Sequence, residues 1–82
     1  MGNEKKLTQG EFRVGTGFNP SGDDTVSQIK AKTAELIDLV GTILDGDGLP
    51  PHVANERRRL KALSQTHFED AAMWGVKAAT KQ

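Results

Sequence analysis

The chain contains no cysteine. Disulfides and thiolate metal sites are therefore excluded as staples of its fold. It has no tyrosine, one tryptophan and three phenylalanines, so any ring contact with a ligand rests on very few side chains. No apolar run approaches the ~18–20 residues that cross a bilayer, so no transmembrane helix and no membrane partner are expected. The opening MGNEKKLTQGEF has no apolar h-region, which argues against a secretory signal. Its Met-Gly start suits myristoylation, but Lys6 stands where Ser or Thr is needed. A cytoplasmic protein is the expectation. There is also no excess charge of either sign: eleven basic residues balance eleven acidic ones. A general DNA or RNA binder would be clearly basic, so DNA is not an expected partner, although local basic clusters are allowed.

With 82 residues the chain is a single domain at most. A domain of this size buries only about 60–65% of its unfolded surface and is marginal alone. Without staples, small scaffolds rely on tight helix packing or on oligomerisation.

What the chain does have is helical periodicity. Residues 1–12 are polar and read as a flexible N-terminal tail. Residues 13–24 hold Gly15, Gly17 and Gly22 around Pro20 and Ser21, which is loop chemistry. A helix follows over about 25–45, with Asp24 or Thr25 as its cap. Val26, Ile29, Thr33, Leu36, Val40 and Ile43 alternate by three and four along it, and Lys30, Glu35, Asp38 and Asp45 lie on the opposite face. Asp45–Pro51, DGDGLPP, is a turn. Asp45, Asp47 and Glu56 fall at EF-hand positions, but Leu49 and Pro50 occupy places that calcium needs filled by an oxygen ligand and by glycine. No metal site is expected.

A second helix spans about 51–79. Val53, Leu60, Leu63, His67, Ala71, Trp74 and Ala78 make its stripe, and Gly75 in its interior calls for a close contact. Two long amphipathic helices joined by a short turn form an antiparallel hairpin. The fold class is all-α: a two-helix hairpin domain over 13–82 with an N-terminal loop arm. Two helices cannot bury both stripes, so hairpins are expected to assemble into a homo-oligomeric bundle, built from symmetric dimers.

Enzyme signatures fail. There is no thiol nucleophile, His52 and His67 lie too far apart for an HExxH pair, and Glu69 and Asp70 point in different directions on a helix. His67, on the apolar stripe, reads as a packed core histidine. No catalytic residue and no cofactor is expected. The loop GTGFNPSG fits neither a dinucleotide fingerprint nor a P-loop. A general anion argument remains. Amides near a helix start favour anions, Phe18 offers a ring face to a base, and Arg13, Lys30 and Lys32 supply charge. The alternative is that Phe18 packs over the hairpin and the lysines are solvated. The run Arg57-Arg58-Arg59 covers most of a helical turn, so it is either a solvated, salt-bridged face or the source of one phosphate contact at a subunit junction.

The block FNPSGDDTVSQIKAKTAELIDLV, a turn, and then RLKALSQTHFEDAAMWGVKAATK resemble the phage anti-CBASS protein two and Thoeris anti-defence one helical-hairpin family. The combination of F-N-P-S, I-K-x-K and H-F-E-D-A-A-M-W-x-V-K-A-A-T carries the resemblance, over residues 13–81. It implies a homo-oligomer, commonly a hexamer, with pockets at subunit interfaces. These would sequester cyclic di- or trinucleotides, or cyclic ADP-ribose isomers, without hydrolysing them. It implies that Phe18 stacks on a base and that Lys30 meets phosphate, with Thr33 as a weaker contact and Arg57, Arg58 or Arg59 lining other pockets; the neighbouring Asn19 is a further candidate ligand contact. Some members use tyrosine at the aromatic position; phenylalanine can stack but offers no phenol hydrogen bond. The competing reading is a structural or adaptor hairpin that mediates protein–protein assembly.

Overall fold

In a computed structural model, which describes residues 6–82, three residues set the bounds of the first element. The Thr8 hydroxyl accepts from the Glu11 amide at 3.1 Å, and the Glu11 carboxylate accepts from the Thr8 amide at 2.9 Å. This reciprocal capping box opens helix α1, Gln9–Val14. The helix stops at Gly15, whose φ of 77° forms a left-handed cap that a side chain would strain. Residues 9–12 are thus helical, not part of a loose tail. The polar composition hid a Thr-x-x-Glu start signal, and docking on the hairpin supplies what so short a helix lacks alone. The expectation for residues 1–5 lies outside the described residues.

Asp23, rather than Asp24 or Thr25, caps α2, Asp24–Gly41: its carboxylate accepts from the Thr25 amide at 2.7 Å and the Val26 amide at 3.4 Å. The helix ends four residues before the expected 45. The amides of Thr42 and Ile43 bond three residues back, to Leu39 and Val40, and the Thr42 hydroxyl also takes the Leu39 carbonyl at 2.6 Å. Such tightening ends the α-helical ladder. After a turn with Gly46 and Gly48 at positive φ, α3 runs Pro51–Thr80, with Pro51 in its first turn.

α2 and α3 are antiparallel, because contacts descend in α3 as they climb in α2. Ile29 lies against Gly75, Gln65 donates to the Ile37 carbonyl at 3.1 Å, and Lys61 donates to the Ile43 carbonyl at 2.8 Å. A Cβ at Gly75 would sit 3.3 Å from an Ile29 methyl, which explains the interior glycine. Gly75→Val should therefore cost about 1–3 kcal/mol by overpacking, read as a lower urea midpoint. A midpoint at or above wild type would mean the helices do not touch there.

The interior is small: Val26 and Ile37 are fully buried, joined by Ala34, Ala54 and Ala72. The face that α3 turns to α2 is Ala54, Gln65 and Ala72, not its apolar stripe. With 100° per residue, Leu60 lies about 140° around the helix from Gln65. Leu60, Leu63 and Trp74 accordingly stay 52%, 42% and 58% exposed, and His67 is exposed rather than packed in a core. Small residues won this face because they let the two helices approach. Two residues assigned to the polar face of α2 also move inward: Lys30 is buried, and Asp38, half-buried, accepts from the Gly10 amide at 2.7 Å.

The result is a slab, 49 × 38 × 13 Å across its Cα atoms. Its radius of gyration is 15.5 Å, where a compact chain of this length has about 12 Å. It exposes 6171 Å², where a compact 8.9 kDa protein exposes about 4,800 Å². Helix α1 lies over one face of the hairpin, near Ala34 and Glu69. The opposite face has an open apolar groove of about 480 Å³ between Val40, Ile43, Val53 and Leu60.

Candidate functional site

The loop after α1 is framed by two left-handed glycines, Gly15 and Gly22, with φ of 77° and 66°. Between them the Phe18 amide donates to the Gly15 carbonyl at 3.1 Å and closes a tight turn. Asn19 fastens the far side. Its Nδ2 donates to the Asp23 carbonyl at 3.0 Å and to the Ser27 hydroxyl at 2.9 Å, and its Oδ1 accepts from the Ser21 hydroxyl at 2.6 Å. All polar atoms of the Asn19 side chain are thus engaged in holding the loop to the start of α2. The outcome is a Phe18 ring 70% exposed on a constrained loop, which is the opposite of packing over the hairpin.

Lys30 rises from the first turns of α2 beneath this loop. Its ammonium donates to the Gly15 carbonyl at 3.1 Å and to the Phe18 carbonyl, and it lies 5.5 Å from the centre of the Phe18 ring. That distance is within cation–π range. Beside it, Arg13 projects from the last turn of α1 toward α3. Its Nε donates to Glu69 at 2.7 Å and its Nη2 to the Thr66 hydroxyl at 3.3 Å. The carboxylate thereby fixes the guanidinium fork in place. Arg13, Lys30, Glu69, Asp70, Met73 and Val76 line a cleft of about 400 Å³ between α1 and α3. The Phe18 ring stands outside this cleft, and Lys30 belongs to both.

The remaining candidates do not converge here. Lys32 is exposed and lies about 200° around the helix from Lys30. The Thr33 hydroxyl is turned to its own helix, donating to the Ile29 carbonyl at 2.7 Å, so it offers no hydrogen to a ligand. Arg57, Arg58 and Arg59 sit at the turn end of the hairpin. Arg57 donates to the Leu44 carbonyl at 3.4 Å, beyond the C-terminal end of α2, where cations suit the dipole. Arg58 donates to Asn55 at 2.7 Å and pairs with Asp45 at 3.8 Å. Arg59 forks onto Glu56 at 2.9 and 2.7 Å; this hydrogen bonding holds the Glu56 carboxyl below, and the guanidinium above, their ordinary values. Lys61 joins Asp45 at 3.5 Å. The basic run mostly ties down the hairpin turn.

Residue-by-residue reading missed Glu69 and Thr66, the partners of Arg13. They are three apart on α3, one helical turn, but only the position of α1 makes them neighbours of Arg13. Among the described residues no group of three or more His, Asp or Glu is arranged to hold a metal ion. No helix there is long and apolar enough to cross a membrane.

A small all-helical hairpin carrying a short capped helix and an exposed ring on a glycine-framed loop defines a class, and the family comparison agrees with it. The family model described as "Acb2/Tad1, hairpin domain" matches residues 9–80, nearly the whole chain including α1. The chain belongs to this anti-defence hairpin family. No curated protein and no solved structure gives a match.

Proposed function

We propose that this protein sequesters a cyclic nucleotide signal of bacterial immunity, a cyclic di- or trinucleotide or a cyclic ADP-ribose isomer, and does not hydrolyse it. Family membership supports the anti-defence role. The observation that carries the ligand class is the pairing of an exposed ring with fixed cationic charge: Phe18 above the Lys30 ammonium, with the Arg13 fork in the adjoining cleft. A base stacked on Phe18 would place its phosphate within reach of that corner. Base–aromatic stacking contributes roughly 1–3 kcal/mol, and a charge-assisted phosphate bond a similar amount. One corner offers one of each. A cyclic dinucleotide has two bases and two phosphates, so a pocket shared by two copies matches it better than a single chain does. Self-association, in a hexamer built from dimers, belongs to this reading, and the site would be completed between subunits in the host cytoplasm.

A second reading, a hairpin adaptor, would have the apolar groove of Val40, Ile43, Val53 and Leu60 covered by another protein rather than by a second copy. The two separate cleanly. The protein is incubated with a panel of cyclic di-AMP, cyclic di-GMP, cyclic tri-AMP and cyclic ADP-ribose, washed and denatured, and the released nucleotide is identified. Intact ligand from wild type, with retention at least tenfold weaker in Phe18→Ala, is the expected result. Release of linear product would make the protein an enzyme. Retention of nothing, with the fold intact, would leave the adaptor reading standing.

A further inference from the structure

We propose that Arg13 and Thr66 form a seat for a phosphate group on the α3 side of the cleft, with Glu69 as the residue that positions the guanidinium for it. The proposal rests on the sequestration reading and names a further contact for it, apart from the Phe18 ring. A guanidinium is a rigid plane of N–H donors. One edge, Nε and Nη2, is filled by α3: Glu69 accepts at 2.7 Å and the Thr66 hydroxyl at 3.3 Å. The other edge, Nη1 with the second Nη2 hydrogen, has no acceptor among the described residues. It is not sealed off, because no buried side-chain nitrogen among those residues lacks a partner. An arginine anchored on one edge offers the other as a fixed two-pronged fork, the shape that phosphate oxygens match.

Thr66 adds a second donor. Helical threonines commonly return the hydroxyl hydrogen to a carbonyl one turn back. Thr33 does so to Ile29 at 2.7 Å and Thr80 to Val76 at 2.8 Å. The Thr66 hydroxyl makes no such bond; its oxygen accepts from Arg13 and its hydrogen is left over. That hydrogen neighbours the open edge of the fork, because the Thr66 oxygen sits on Nη2, and both residues line the cleft. The cleft also limits what it holds. Glu69 offsets the Arg13 charge, and Asp70, on the same wall, has no ion pair among the described residues. An unpaired carboxylate beside the seat opposes an anion. Inorganic phosphate alone is therefore held weakly, and a phosphate delivered by a base already bound nearby is held well.

Nitrogen NMR of the arginine side chains tests the geometry. Inorganic phosphate at millimolar concentration should shift the Arg13 Nη signals and leave the Nε signal, held by Glu69, in place. No response at Arg13, or an Nε signal that moves with the Nη signals because phosphate displaces Glu69, would overturn the proposal. Binding of the panel member that wild type holds most tightly tests the function. Thr66→Val, which keeps the Arg13–Glu69 pair and the melting temperature, should weaken it at least threefold, and Thr66→Ser should restore it. Arg13→Lys, which keeps the charge and loses the fork, should weaken it at least tenfold. Asp70→Asn should tighten it at least threefold. Wild-type affinity in Thr66→Val and Arg13→Lys, or weaker binding in Asp70→Asn, overturns the seat while the sequestration reading stands. A wild type that binds no panel member overturns the sequestration reading instead, and the phosphate titration still decides whether the seat exists.

Discussion

Gly10→Ala should detach α1 from the hairpin. A Cβ at position 10 would lie 2.0 Å from the Ala34 carbonyl oxygen and under 3 Å from two further backbone atoms of Ala34. That backbone belongs to the middle of α2 and cannot yield, so α1 must move. Its displacement breaks the Gly10–Asp38 bond and pulls on the Arg13–Glu69 pair, both at 2.7 Å. The cost is about 1–3 kcal/mol or more, since overpacking against backbone relaxes poorly. The sign is informative, because alanine in place of glycine stabilises an isolated helix by up to ~1 kcal/mol. Melting should fall by several degrees and ligand retention by at least tenfold, while the helical circular dichroism signal of α2 and α3 stays close to wild type. An unchanged or raised melting temperature would show that α1 does not seat against Ala34 in this register.

The second large effect is expected at the groove. If copies pair through this groove, as the proposed self-association requires, Leu60→Asp should be monomeric in light scattering at concentrations where the wild type is not. Leu60 is 52% exposed in the single chain and lines the apolar groove with Val40, Ile43 and Val53, on the face that α1 leaves bare. Burying a leucine contributes about 1.5–3 kcal/mol, and a two-fold contact buries it twice. Replacing both by carboxylates should weaken association by two orders of magnitude or more. The excess of exposed surface over a compact fold, about 1,400 Å², is also more than the ~800 Å² each partner contributes to a standard interface. A wild type that stays monomeric at tens of micromolar would refute this use of the groove.

The hairpin itself was legible because two long stretches repeat their apolar residues by three and four, and because Asp45–Pro51 stops one helix and starts the next. The placement of α3 was not. Its strongest stripe runs through Leu60, Leu63 and Trp74, and hydrophobicity alone sends that stripe inward. Close approach through Ala54, Ala72 and Gly75 turned it outward, an outcome visible only once the partner helix is in place. α1 was missed although Thr8, Glu11 and Gly15 spell out a start and a stop, since six residues hold no periodicity to count. At the candidate site, Phe18 was legible from its glycine frame, and Arg13 and Lys30 from charge near a helix end. The engagement of Lys30 with carbonyls, and of the arginine run with the turn, depends on three-dimensional neighbours that spacing does not reveal.

A slab whose Cα atoms span only 13 Å in its thinnest direction leaves most side chains at least partly exposed, and it has little interior to call its own. Its few fully buried residues, Val26 and Ile37, cannot alone offset the conformational entropy of ordering the chain. If copies cover one another's bare faces, the law of mass action governs folding as well as assembly, and dilution becomes a denaturant. A ligand bridging two copies would then stabilise the folded pair as one unit, and its removal would loosen assembly and fold together.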